Sequence, residues 1–241
     1  MDTVVGVGQF SYLYRDLAAV DTADSWSVKR FNYAYKIMNK ILLLLFSAIS
    51  LNLNAQTNFF EGRISLKLQY FDSLGNEVNA ATLGRDTEMH YFVSEGNYKS
   101  LNEKGVITQL FNSSSNKYFF NNQGQIQVMD ASFKYPQTGT VKQLSGEEEI
   151  LELKCSKLTI ESESDFTTYY FSPELTVNKE LYQNHNFGNW NLFLNSTNGA
   201  LALKYEIEYP SAGLSVLMEA YEIEEIDMSI EDFNIESYLK K

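Results

Sequence analysis

The sequence predicts a mainly β fold of antiparallel strands, with one short helical segment that makes the class α+β. Three observations support this prediction. Apolar and polar residues alternate with a period of two over long segments, as they do in strands with one buried face. Glycine and asparagine separate these segments at short intervals, which is typical of a meander. The chain also has 14% aromatic residues and only three prolines, a composition that favours strands over disorder.

The first half of the predicted sheet begins directly after residue 59. The first strand carries on one face Phe60, Gly62, Ile64, Leu66, Leu68 and Tyr70. Charged and polar residues alternate with them, and a helix would scatter these groups around its circumference. A turn is predicted at residues 73–76. Five short strands follow, at residues 87–93, 97–101, 106–111, 117–120 and 125–129.

The second half repeats this pattern with longer segments. Strands are predicted at residues 150–160, 165–172, 200–209 and 214–226. Residues 178–195 lack the alternation and form an apolar insert, predicted as a short helix broken at Gly188. No linker composition interrupts residues 56–241, so a single domain is predicted there.

The segment MNKILLLLFSAISLNLNAQ begins at Met38 and has the features of a secretory signal peptide. Lys40 supplies a positive charge, and Ile41–Ile49 supplies an apolar run shorter than the roughly 20 residues of a membrane-spanning helix. Ala55 offers a small residue before cleavage, so residues 38–55 are predicted to be removed. The alternative is a buried core helix. An exported product, not membrane-spanning once processed, would be periplasmic or extracellular in a Gram-negative bacterium.

Residues 1–37 carry no periodic apolar face and contain four acidic residues, which a transit peptide would lack. We interpret them as a disordered upstream extension from a start site assigned too early, with Met38 as the initiator. The alternative is a cytoplasmic extension on a signal anchor.

The negative charge of the chain disfavours polyanionic partners. The formal net charge is −12, and the basic residues do not cluster, so nucleic-acid and anionic-membrane binding are not expected. The single cysteine cannot form an internal disulfide, so the predicted exported domain depends on packing alone.

The residues that could carry chemistry do not form a recognised catalytic or metal pattern. Cys155 lies mid-strand, where a small core residue is the ordinary outcome, and His90 and His185 stand outside metal and triad signatures. The acidic groups lack the spacing of a calcium loop; they are Glu147–Glu149, Glu161/Glu163/Asp165 and Glu222/Glu224/Glu225/Asp227. We therefore predict a non-enzymatic protein without cofactor or metal.

Three segments resemble a family of secreted Gram-negative proteins, most familiar from Bacteroidota and largely of unknown function. Residues 60–64 (FEGRI) match the Phe-Glu-Gly-x-Ile opening of the family. Its central strand usually reads Ile-Leu-Gly-Tyr-Lys-Cys, and here Glu152 and Leu153 replace the glycine and tyrosine. The matching residues in that strand are Ile150, Leu151, Lys154 and Cys155. The third segment runs from Gly199 through Tyr221 to Asp232-Phe233 and resembles the closing strands and tail.

This family shares a half-barrel fold with the lipoprotein carriers LolA and LolB. The resemblance implies a curved antiparallel sheet, a half barrel, whose concave face is covered by the short helical insert.

Several strands carry apolar groups on both faces, which a sheet packed on one side should not do. Either the insert completes an ordinary core, or the second face lines a ligand cavity or meets a partner. We predict a hollow that binds a hydrophobic small molecule or lipid, such as an acyl chain; the alternative is an envelope protein–protein interaction module without a ligand. The candidate ligand-binding residues are Tyr70, Met89, Tyr91, Phe119, Tyr170, Phe187, Trp190, Phe193 and Tyr205, with Phe187, Trp190 and Phe193 as the lid.

Overall fold

The computed structural model describes residues 59–122, 124–133 and 139–239. The predictions for residues 1–37 and 38–55 therefore lie outside the described residues. The strands are β1 (Gly62–Asp72), β2 (Glu77–Val78), β3 (Glu88–Ser94), β4 (Asn97–Asn102), β5 (Ile107–Asn112), β6 (Lys117–Asn122), β7 (Gln125–Asp130), β8 (Thr140–Ile150), β9 (Leu153–Glu161), β10 (Phe166–Thr176), β11 (Ala200–Tyr209) and β12 (Leu214–Glu225). These twelve described strands form one antiparallel sheet.

The sheet consists of a first meander, β1–β7, and a second meander, β8–β12, which meet where β1 pairs with β12. The strand order is β7-β6-β5-β4-β3-β1-β12-β11-β10-β9-β8, with β2 paired to β1. The chain therefore passes from one edge strand, β7, directly to the other, β8. Ten Cα steps join Asp130 to Thr140 and reach at most about 36 Å, whereas ten strand spacings in a flat sheet measure about 48 Å. The sheet must curve, which agrees with the predicted fold class: an open, curved antiparallel sheet with few helices.

The helices of the described residues are short. They are α1 (Ala80–Leu83), α2 (Trp190–Ser196) and α3 (Ile235–Leu239), with 3-10 turns at Lys179–Tyr182, Phe187–Asn189, Pro210–Ala212 and Ile230–Phe233. The predicted insert is confirmed as helical, and it is interrupted at Gly188, whose φ of 60° is left-handed. Among the described residues, no helix has the length and apolar character needed to cross a membrane.

The strand predicted at residues 150–160 is wrong, because a turn divides this segment between two strands. The segment 150–160 was expected to be a single strand, but Ile150 ends β8 and pairs with Leu153 at the start of β9. Leu151 and Glu152 form the two-residue turn between them, with φ values of 51° and 65°. Strand β8 itself was missed because its charged sequence, which includes Glu147–Glu149, lacks clean alternation and lies at the edge of the sheet.

This turn leads to a prediction about stability. A non-glycine residue in the left-handed region costs roughly 1–2 kcal/mol, and glycine avoids that cost at the expense of chain entropy. We expect Glu152→Gly to raise the free energy of unfolding in urea by about 1 kcal/mol. The control is Glu149→Gly in the extended strand β8, which should lower it by about 0.5–1 kcal/mol. Equal losses in both variants would contradict the assigned turn.

The residues that follow β12, here called the C-terminal segment (residues 226–239), cover the outer face of β4–β6. Leu110 and Phe119 point outward and pack with Ile235 of α3. The segment is held in place by the Met228 N–H, which donates to the Glu61 carboxylate at 2.8 Å. The apolar outer residues of β4–β6 therefore belong to a second core layer, which explains why these strands carry apolar groups on both faces.

The inner face holds the main core. Side chains from both meanders join a single apolar cluster, so this is the face toward which the sheet curves. Its strand residues include Ile64, Tyr98, Phe111, Leu158, Tyr169 and Leu203. The insert contributes Tyr182, Phe193 and Leu194 to the same cluster, so it covers the concave face as predicted.

Candidate functional site

The insert is fastened to the first meander by hydrogen bonds and by close backbone approach. The Asn186 N–H donates to the Ala131 carbonyl oxygen at 2.8 Å, and the Asn186 side chain donates to the Ser132 carbonyl oxygen at 2.9 Å. At Gly96, a Cβ atom would lie 2.5 Å from the Cβ of Leu181. The glycine in the β3–β4 turn thus lets the insert pack directly on the turn.

His185 is the central contact between the insert and the sheet. It is completely buried, its Nε2 shares a 2.7 Å hydrogen bond with the Tyr98 hydroxyl, and its ring stacks on Phe111 at 4.2 Å between centroids. Its Nδ1 has no partner among the described residues. Burial lowers the pKa of His185 to about 3, so the imidazole is neutral at physiological pH.

A cavity of about 310 Å³ lies between the insert and the inner face of the sheet. Its walls come from both meanders and from the insert. The lining residues are Met89, Tyr91, Tyr98, Gln109, Tyr118, Asp165, Thr167, Tyr169, Phe187, Gly188, Asn189, Trp190, Phe193, Tyr205, Ile207, Tyr209 and Met218. Most of these side chains are aromatic, and the volume falls at the lower end of the range for small-molecule sites.

Stacked aromatic rings build two parts of the wall. Trp190 lies nearly parallel to Tyr91 and to Tyr98, with centroid distances of 5.8 and 4.8 Å. Phe193 stacks on Tyr169 of the second meander at 4.5 Å. The helix α2 therefore contacts both halves of the sheet through rings three residues apart, which the helical period places on one face.

Burial dominates the protonation behaviour of the phenols in this region. It raises the pKa of Tyr91, Tyr98, Tyr169 and Tyr205 above the ordinary value. These hydroxyls stay protonated at physiological pH, and each can donate one hydrogen bond inside the cavity wall.

The structure brings together six of the nine predicted ligand-binding residues. Those that line the cavity are Met89, Tyr91, Phe187, Trp190, Phe193 and Tyr205. The other three lie elsewhere: Phe119 is on the outer face beneath the C-terminal segment, and Tyr170 is buried in the main core without lining the cavity, its ring 4.7 Å from the Lys204 ammonium. Tyr70 packs with Ala80 and Val216 near α1, and its hydroxyl donates to the Asp86 carbonyl oxygen.

Sequence reasoning missed several lining residues, including Tyr98, Tyr118, Asp165, Tyr209 and Met218. Strand parity offered a signal for some of them. Tyr98 pairs across the ladder with Val93, which shares the face of Tyr91, so a correct register would have placed Tyr98 on the inner side. Asp165 lies in a turn, where parity does not apply.

The chemically reactive groups do not converge on the cavity. Cys155 is fully buried in the main core, as predicted, and burial together with Glu148 raises the pKa of its thiol to about 11. Within the described ranges, no group of three or more His, Cys, Asp or Glu side chains is placed to hold a metal ion.

No protein-family model matches the chain, and no curated protein matches it. Solved structures match at low similarity. The structure of PNGF-II has a TM-score of 0.42 and 15% identity over 70% of this chain, which spans only 28% of that protein. A LolA superfamily protein from Nitrosomonas europaea has a TM-score of 0.34 and 8% identity, covering 75% of this chain and 92% of the other.

A DUF1329 family protein from Desulfovibrio piger matches with a TM-score of 0.29 and 8% identity, over 75% of this chain and 92% of that one. The neighbours thus include a LolA superfamily protein at low identity. All three TM-scores lie below 0.5, so these likenesses carry no argument about function, and the family resemblance of the sequence stays a prediction.

Proposed function

We propose that this protein is a non-enzymatic, exported binding protein that holds a hydrophobic ligand, such as a lipid or acyl chain, between the insert and the curved sheet. The observation that carries the proposal is the cavity of about 310 Å³ walled by aromatic side chains from both meanders. Burial of apolar ligand surface against such a wall contributes roughly 25 cal/mol per Å² before entropic costs.

The position of the insert supports the same proposal. An insert that only completed a core would fill the concave face to native density, whereas here a cavity remains beside the stacked rings of Trp190 and Tyr98. Export rests on the signal-peptide pattern of residues 38–55, and periplasmic or extracellular location is part of the proposal. The interaction-module hypothesis stays a prediction.

Trp190→Ala tests the proposal, because it removes the largest ring of the cavity wall. We expect the wild-type chain to bind the uncharged fluorescent probe N-phenyl-1-naphthylamine saturably, and the variant to bind it about tenfold more weakly, as for a large buried aromatic contact. Probe fluorescence at increasing protein concentration measures the affinity.

The matched control is Tyr221→Ala, which truncates an exposed aromatic residue of the same sheet that does not line the cavity. It should leave probe affinity within about twofold of wild type, since distant sites behave independently. A wild-type chain that gives no saturable signal, or equal losses in the two variants, would contradict a ligand site beneath the insert.

A further inference from the structure

The charge at the cavity comes from one carboxylate. Among the seventeen described lining residues Asp165 is the charged one, and Lys, Arg and His are absent from them. Asp165 lies in the turn between β9 and β10, and its side chain is partly exposed. A ligand that enters the cavity therefore meets a single negative charge with no lining cation to offset it.

Hydroxyl groups hold the Asp165 carboxylate in place. Ser162 and Ser164 donate to its Oδ2 at 2.8 and 2.7 Å, and Thr167 donates to its Oδ1 at 3.2 Å. Thr167 is itself a lining residue, so Oδ1 is the oxygen bonded on the cavity side. A carboxylate oxygen can accept two hydrogen bonds, so Oδ1 can accept a second one from a ligand.

The Asp165 charge acts on other parts of the cavity wall. Burial, and after it the Asp165 carboxylate, raise the pKa of the Tyr169 and Tyr209 phenols. Arg85 acts on Tyr209 in the opposite direction but more weakly. Arg85 is exposed and does not line the cavity, so it does not cancel the negative charge inside.

These charges distinguish ligands of one shape by their sign. A carboxylate drawn into the cavity would lose its hydration and meet no lining cation in return, which is strongly unfavourable. A protonated amine at the same place would form a charge-assisted hydrogen bond with Asp165, which is stronger than a neutral one. The net charge of −12 also attracts cations toward the protein.

Given the proposed function, on which this inference rests, we propose that the hydrophobic ligand of the cavity is an amphipathic organic cation. It consists of a compact apolar group joined to a protonated amine. The ammonium donates to Asp165 Oδ1, and the apolar group lies against the aromatic wall formed by Trp190 and Phe193. The cavity discriminates against carboxylates of the same shape, ionised fatty acids included.

Three probes of one shape test the inference by calorimetric titration of the full chain at pH 7.5. They are 2-naphthylmethylamine, which is protonated at this pH, 2-naphthalenemethanol, which is uncharged, and 2-naphthoate, which is anionic. We expect the amine to bind about fivefold more tightly than the alcohol, because a hydrogen bond to a charged group is worth more than a neutral one. We expect 2-naphthoate to bind at least about tenfold more weakly than the alcohol.

Asp165→Asn removes the charge and keeps the shape of the side chain. We expect the ratio of amine affinity to alcohol affinity to fall from about five to about one in this variant. The matched control is Glu208→Gln, which makes the same change in net charge. Glu208 is exposed and lies between the lining residues Ile207 and Tyr209 on β11, so its side chain points to the opposite face. The control should keep a ratio of about five, since screening by salt weakens the effect of a distant exposed charge.

The outcomes separate this inference from the proposed function. If the alcohol binds but the amine binds no more tightly, or 2-naphthoate binds as tightly as the alcohol, the inferred ligand class is wrong and the hydrophobic site stands. The same conclusion follows if Asp165→Asn keeps the wild-type ratio or Glu208→Gln lowers it equally. The order of the three probes on the wild-type chain decides the matter even where Asp165→Asn does not fold. If none of the three probes binds, both the ligand class and the proposed function are wrong.

Discussion

Phe233→Ala is expected to lower the free energy of unfolding by about 3–5 kcal/mol, the usual cost of truncating a buried phenylalanine. The residue lies in a short 3-10 turn near the end of the chain, yet it is completely buried. The Lys99 ammonium lies 5.3 Å from the centre of its ring and donates to the Asp232 carbonyl oxygen at 3.1 Å. Urea denaturation followed by circular dichroism measures the loss.

The same turn provides a matched control. Ile230 is 57% exposed, so Ile230→Ala should change stability by less than about 0.5 kcal/mol. The difference in stability between the two variants tests whether the C-terminal segment stabilises the protein through the second core layer. A loss below about 1 kcal/mol in Phe233→Ala would mean that the segment contributes little to the outer layer.

Acidification from pH 7 to pH 5 is expected to lower the free energy of unfolding by about 2 kcal/mol through His185 alone. Burial lowers the pKa of His185 in the folded chain to about 3, against an ordinary value of 6.5. The unfolded chain therefore takes up a proton on His185 below pH 6.5, whereas the folded chain does not do so until the pH approaches 3. Stability from this group is complete above pH 6.5 and is lost as the pH falls toward 3.

The carboxylates with lowered pKa values act at lower pH. Hydrogen bonds lower the pKa of Asp72, Glu103 and Asp130, so the stability they contribute is present above their ordinary values and is lost only below them. The interval from pH 7 to pH 5 therefore isolates the histidine.

His185→Gln should flatten the dependence of stability on pH in this interval, whatever its effect on stability at pH 7. The control is His90→Gln, which replaces the chain's other histidine and should keep the fall of about 2 kcal/mol. Urea denaturation at pH 7, 6 and 5 measures the slope. A wild-type chain equally stable at pH 7 and 5, or a fall abolished by His90→Gln, would contradict this assignment.

Most of the strands could be predicted from the sequence, because alternation of apolar and polar residues is a local property of the chain. The segment ALALKYEIEY was predicted as a strand at residues 200–209, and β11 has those bounds. The turns between the first meander's strands were also local, since glycine and asparagine mark them. Strand β8 was not predicted, because an exposed edge strand need not show alternation of apolar and polar residues.

The candidate site, too, could be predicted from the sequence only in part. Trp190, Phe187 and Phe193 were predicted as the lid because an apolar, non-alternating insert must cover something, and all three line the cavity. Phe119 and Tyr170 were grouped with them because periodicity identifies two faces of a strand but does not say which one is concave. The contacts of the C-terminal segment decide that question for Phe119.

By itself, then, the sequence determined a β meander, an apolar insert interrupted at Gly188, and a composition that disfavours anionic partners. Only the tertiary structure decided which face curves inward, that residues near the C-terminus cover the other, and that Tyr91 and Asp165 meet at one cavity. The physical reason is the sequence separation of the residues that interact. Alternation and turn formation depend on neighbours a few residues apart. Curvature and burial depend on the pairing of β1 with β12, whose residues lie more than 140 positions apart in the chain.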